Sequence, residues 1–157
     1  MKIQKLLFIA FLFVQCYFLQ GQKADAIDLE IGGPSLVYSV NLDTRFEKSN
    51  FGMRIGLGVL PYDFPHGKPM FIIPFTINHV LPKKHSFEYG FGFTYVTTYD
   101  ENSFLGNTMI AYRLQNSNGF LFRCGLNLMY RLYDEHCVFD NSLLILPLPL
   151  ISFRKWF

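Results

Sequence analysis

The chain has 157 residues, of which 50% are hydrophobic, 18% aromatic and only 17% charged, with a formal net charge of +2 at pH 7. That length suits one domain, and the charged fraction lies below the roughly 25% usual for soluble domains. The near-neutral balance, with no block rich in Lys and Arg, excludes nucleic acid as a partner.

In chain order, the first element is a leader. Lys2 and Lys5 precede an apolar stretch from Leu6 to Leu19, and Gly21 offers a small residue for cleavage, with Ala24 and Ala26 a later alternative. This is the pattern of a secretory signal peptide, so residues 1–21 are read as the signal and 22–157 as the mature domain. The apolar stretch is shorter than the ~20 residues of a spanning helix and contains Gln15. Gln15 also stands where a small residue should precede a lipidated cysteine, so Cys16 is not read as a lipid anchor.

Beyond the leader no segment keeps a helical period, and period-2 segments recur between turn signals. A short strand, "AIDLEIG", precedes a turn at Gly33-Pro34. In "LVYSVNLDTRF", Leu36, Tyr38, Val40, Leu42 and Phe46 share one face, and Val37, Ser39, Asn41, Asp43 and Arg45 the other. "FGMRIGLGV" sets Phe51, Met53, Ile55, Leu57 and Val59 against Gly52, Arg54, Gly56 and Gly58. "FIIPFTIN" alternates Phe71, Ile73, Phe75 and Ile77 with Ile72, Pro74, Thr76 and Asn78. "SFEYGFGFTYVTTY" carries Phe87, Tyr89, Phe91, Phe93, Tyr95 and Tyr99 opposite Ser86, Glu88, Gly90, Gly92, Thr94 and Thr98. "TMIAYRLQ" sets Ile110, Tyr112 and Leu114 against Met109, Ala111, Arg113 and Gln115. "FLFRCGLNLMYRL" sets Phe120, Phe122, Cys124, Leu126, Leu128, Tyr130 and Leu132 against Leu121, Arg123, Gly125, Asn127, Met129 and Arg131. The last strand, ending "LISFRKWF", runs its apolar side through Ile151, Phe153 and Phe157. Pro147 and Pro149 lack N–H groups, so irregular pairing is expected near Pro147, and the phase of residues 143–150 is left open.

The connections alternate in length. Residues 47–50, 82–85 and 116–119 are tight and polar, whereas 61–68, 100–106 and 134–142 are longer. About eight strands of ~9–13 residues joined in this way form the pattern of an all-β, eight-stranded, antiparallel up-and-down transmembrane barrel. In a soluble sandwich the polar face would meet water. Here that face is mostly glycine, serine, threonine and asparagine with isolated charges, while the apolar face is aromatic on nearly every strand. The aromatics are therefore expected to meet lipid and the glycines to line a narrow lumen.

The stretches "LVYSVNLDTRF", "INHVLPKKHSFEYGFGF", "AYRLQNSNGFLFRCGL" and "ISFRKWF" resemble small OmpA/OmpX-type outer-membrane barrels of Gram-negative bacteria, over about two-thirds of the mature chain, and in particular a subgroup with no assigned activity. The resemblance implies the cell outer membrane as location, with lipid and the barrel-assembly machinery as partners. It also implies that the aromatic Phe157 serves as the assembly signal, although Lys155 departs from the apolar or aromatic residue usual near it.

Candidate chemistry is sparse. Asp43, Arg45, Arg54, Glu88, Arg113, Arg123 and Arg131 all fall on the inward face. Enclosed charges must be paired, so a structural ion-pair network centred on Glu88 is expected, in a lumen wide enough only for side chains. His79, His85, Ser86 and Glu88 lie around one turn, and a His/Ser/Glu trio supports acyl hydrolysis, as in small barrels that trim lipid A. Glu88 points inward and His79 outward, however, and the turn is expected on the periplasmic side. His66 and His136 sit singly in long loops, and no catalytic, cofactor or metal set is assigned. The composition allows Cys124 and Cys137 one disulfide, but a strand face and a polar loop make free thiols the expectation. Loops 61–68, 100–106 and 134–142, with Tyr62, Phe64, Phe104 and Phe139, are the candidate partner surface, while Tyr99 and Trp156 suit an interfacial belt.

The expectation is a monomeric outer-membrane barrel with a structural or surface-interaction role. The alternatives are a lipid A deacylase-like enzyme and a secreted soluble barrel that binds an apolar ligand.

Overall fold

A computed structural model of the chain describes residues 24–46, 49–60, 69–81, 85–98, 102–115, 120–134 and 145–155. Eight strands run in chain order: β1 (Ala24–Gly32), β2 (Tyr38–Arg45), β3 (Phe51–Leu60), β4 (Met70–Val80), β5 (His85–Thr97), β6 (Asn102–Gln115), β7 (Phe120–Asp134) and β8 (Ile145–Lys155). Each pairs antiparallel with its sequence neighbours, and β1 closes on β8 from Asp28↔Arg154 to Gly32↔Leu150. Closure gives every strand a partner on both sides over at least part of its length, so no strand is an edge strand throughout.

The period-2 pattern decides which face each residue takes, because successive side chains on a strand point to opposite faces. On β5, Phe87, Tyr89, Phe91 and Phe93 are exposed outside, while Ser86, Glu88, Gly90, Thr94 and Val96 are enclosed. The same division holds on β3, β4 and β7. The enclosed space is itself divided along the barrel. The half beside the short connections holds the charged side chains other than Arg131. The half beside the long connections holds an apolar cluster of Ile72, Val96, Leu105 and Met129, with Leu36, Leu60, Met70, Leu146 and Leu148 packed on it.

Three expectations need correction. Pairing near Pro147 is regular: β7 and β8 keep one register from Phe120↔Lys155 to Tyr130↔Ile145. Pro147 and Pro149 are exposed, and β1 reaches β8 only as far as Leu150. Over Ile145–Pro149, β8 is therefore paired on one side, and a proline without an N–H costs an edge no ladder bond. That register also fixes the phase, with Ile145, Pro147 and Pro149 outward.

Second, Leu36 and Val37 do not continue the alternation of β2. A 3-10 turn, Gly33–Ser35, folds into the barrel mouth with Gly33, Pro34 and Ser35 all buried. It is entered through Gly32 and Gly33 at φ 74° and 61°. Leu36, at φ 65° and ψ −60°, is the centre of a γ-turn closed by Val37 N–H to the Ser35 carbonyl at 2.7 Å. Leu36 thereby packs inward and Val37 is exposed.

Third, most of the segment 100–106 is not a loop. Residues 102–106 belong to β6 and pair with β5 from Thr97↔Asn102 onward, because Ser103, Leu105 and Asn107 fill the interior there. A bulge opposite Phe104 and Leu105 then lengthens β7 by one residue. The loops 61–68 and 135–142 lie outside the described residues, as do residues 1–23, Tyr99, Trp156 and Phe157. Of the expected partner surface, Phe104 is the aromatic that can be located, and it stacks on Phe93 at 4.9 Å on the outer wall.

Candidate functional site

Inside the half beside the short connections, every strand contributes to one polar cluster. Asp28 and Glu30 come from β1, Asp43 and Arg45 from β2, Arg54 from β3, Asn78 from β4, Glu88 from β5, Arg113 from β6, Arg123 from β7, and Ser152 and Arg154 from β8. All are buried except Arg45, which is part-exposed at the rim.

Arg123 is the hub. Its Nε donates to Glu88 Oε2 at 3.0 Å, Nη1 to Asp28 Oδ2 at 3.1 Å and Nη2 to Asp43 Oδ2 at 3.3 Å. Glu30 Oε2 stands 3.8 Å from the same guanidinium. The planar fork of an arginine presents donors in several fixed directions, so one side chain on β7 can tie β5, β1 and β2, none of which pairs with β7 in the wall. Glu88, expected as the centre, holds a smaller share: it accepts from Arg123, from Asn78 Nδ2 at 2.6 Å and from Arg113 Nη1 at 3.4 Å. Arg113 and Arg123 are direct cross-strand partners. Like charges opposed in this way repel, and Glu88 Oε2 between them relieves the conflict.

Around the hub, Arg54 pairs with Glu30 at 2.8 Å and donates to Met109 Sδ at 3.0 Å. Arg45 reaches Asp43 Oδ2 at 3.3 Å and Asn78 Oδ1 at 2.9 Å. Arg154 lies 3.6 Å from Asp43 Oδ2. Ser152 Oγ donates to Asp28 Oδ2 at 3.0 Å.

Of the residues read from the sequence, Asp43, Arg45, Arg54, Glu88, Arg113 and Arg123 come together here. Arg131 does not. It pairs across to Leu105 in the other half of the barrel and meets no carboxylate among the described residues, because Asn127 and Met129 intervene along β7. Asp28, Glu30 and Arg154 were missed. The alternation that would have found them is present: Ile27, Leu29 and Ile31 flank the two acids, and Ile151 and Phe153 flank Ser152, with Arg154 next on the same face.

The His/Ser/Glu trio does not assemble. Ser86 and Glu88 are enclosed, whereas His85 stands outside with its Nδ1 against the Tyr112 hydroxyl. His79 lies on the outer wall between Phe51 and Tyr89, with ring centroids 4.5 and 5.0 Å away. Cys124 carries a free thiol, and Cys137, His66 and His136 fall outside the described residues. Among the described residues no group of His, Cys, Asp and Glu is placed to hold a metal ion. Among the described residues the arrangement therefore offers cross-barrel ionic ties. No protein-family model, curated protein or solved structure matches the chain.

Proposed function

We propose that this chain is an outer-membrane β-barrel that spans the bilayer with its exposed face in lipid, its termini on the periplasmic side, and a structural or surface-presenting role. The observation that carries this reading is the distribution of polarity. Ile27, Leu29, Val40, Leu42, Ile55, Leu57, Phe91, Ile110, Leu126 and Leu128 stand exposed around the wall, while arginines and carboxylates fill the interior. A folded protein in water would expose a contiguous apolar surface of this extent only where something covers it. A closed barrel is one of the two folds that satisfy every backbone group within hydrocarbon.

Two further features support it. Phe51, His79, Phe87 and Tyr112 stand outside near the short-connection end, and Tyr38, Tyr95, Tyr130 and Tyr133 near the other. Such rings border the apolar band of membrane barrels. Among the described residues the interior side chains tied by Arg123 are buried, which favours a structural role over conduction. The likeness to OmpA/OmpX-type barrels points the same way.

The test is electrophoresis of membrane-fractionated protein, unboiled against boiled in SDS. The expected result is a compact cold form in the outer-membrane fraction that shifts on heating. Recovery in the soluble fraction with no shift would overturn the reading.

A further inference from the structure

The barrel wall is not of equal height all round. β7 and β8 continue past Leu150 to Tyr130↔Ile145, but β1 stops at Gly32 opposite Leu150, and β2 begins only at Tyr38 opposite Ile31. Among the described residues, no strand pairs with Ile145–Pro149 on the side away from β7. A step therefore interrupts the wall between β8 and β2 at the long-connection end. The turn Gly33–Ser35 occupies it, packed so closely that a Cβ on Gly33 would meet the Leu150 side chain.

The step has an apolar surface on both sides. Outside, Ile145, Val37, Tyr38 and Ile151 are exposed and continue the belt assigned above to lipid. Inside, Leu146, Leu148 and Leu36 adjoin the cluster of Ile72, Val96, Leu105 and Met129. The prolines at 147 and 149 supply no N–H with which a further strand could zip the step shut.

What closes it is the buried turn itself, packed on the strands around it. One side-chain bond, Thr94 Oγ1 to the Pro34 carbonyl at 2.7 Å, ties the turn across the barrel. Among the described residues its other hydrogen bonds are local, and it holds a leucine in a γ-turn of a strained kind.

Resting on the membrane reading, we propose that this step is a lateral portal for one acyl chain of a bilayer lipid, closed by the turn Gly33–Ser35 with Leu36 as its stopper. A chain entering from the belt would take the place of Leu36 against the same apolar cluster. The lining explains the choice of ligand: hydrocarbon leaves no hydrogen bond unmade there, whereas a polar solute would lose its own.

The experiment uses the full chain in phosphatidylcholine vesicles containing a lipid with a diazirine on one acyl chain, irradiated and mapped by mass spectrometry. Adducts on the inward residues Leu146 and Leu148, beside those on outward Ile145 and Ile151, are expected in the parent protein. Leu36→Gly, which removes the stopper and relieves its backbone, should raise inward labelling several-fold. Labelling confined to outward residues in both proteins would overturn the portal and leave the membrane reading standing. If Leu36→Gly does not assemble, the parent pattern alone decides. Absence of adducts on outward residues as well, with no heat-shifted form in SDS, would overturn the membrane reading and the portal with it.

Discussion

Arg123 meets three carboxylates from three strands at 3.0 to 3.3 Å with no exposure to solvent. Removing one partner of a buried ion pair strands the other and costs about 3–5 kcal/mol. Arg123→Met should therefore lower the heat midpoint of the SDS gel shift sharply. Glu88→Ala, which leaves Arg123 its bonds to Asp28 and Asp43, should lower it less; an equal or larger loss there would return the centre to Glu88. Ser86 behaves differently. Its hydroxyl is buried and has no hydrogen-bond partner among the described residues, so Ser86→Ala should leave the heat midpoint unchanged or raise it, since an unpaired buried hydroxyl carries a desolvation cost that alanine does not. At this scale alternation made the inward charges of the middle strands legible. It could not rank them, because which arginine reaches most carboxylates depends on the stagger between strands, and that is a three-dimensional quantity.

Elements were legible where the alternation was unbroken and lost where backbone conformation overrode it. Nothing in "GPSLV" announces that Leu36 takes a positive φ; a branched side chain there is an outlier imposed by the turn it completes. The prolines misled for a related reason. Their effect on pairing depends on whether the neighbouring strand extends that far, and the length of β1 relative to β8 is not written in either segment. Close approach of strands is likewise visible only in the structure, and it yields a paired prediction. A Cβ on Gly92 would overlap the backbone carbonyl of Phe75 on β4, whereas one on Gly106 would meet only the ring of Tyr130, which lies over that glycine from β7. A ring can turn aside and a paired strand cannot. Gly92→Ala should cost about 1–3 kcal/mol by overpacking, and Gly106→Ala less, in urea unfolding of the barrel in vesicles. The reverse order would place the tight contact between β6 and β7 instead.

For the molecule as a whole, the sharpest prediction separates lipid from water outside the wall. Leu126 is exposed in the middle of β7 and Phe120 at its end. In a bilayer, Leu126→Arg should destabilise the barrel by about 2–4 kcal/mol and Phe120→Arg by about 0–1, following depth. In water both substitutions should fall within about 0.5 kcal/mol of the parent, as for ordinary surface positions, and equal small effects in vesicle unfolding would count against the bilayer. The closed eight-stranded architecture itself was legible, since strand count, connection lengths and alternation all agreed. The contribution of β1 to the charged interior was legible as well, in the alternation of Ile27, Leu29 and Ile31 with Asp28 and Glu30, but its two faces were not assigned. That contribution also governs the order of events as the chain folds. The ties from Arg123 to Asp28 and Asp43 bridge 95 and 80 residues of sequence, and the bond from Ser152 to Asp28 bridges 124. None can form until the first strand has met the last. Contacts of such long range form slowly, and until they do Arg123 has Glu88 but lacks Asp28 and Asp43, two of its three closest carboxylates. The ions that lock the finished barrel thus penalise the intermediates in which the first strand has not met the last, which favours closure as a single late step.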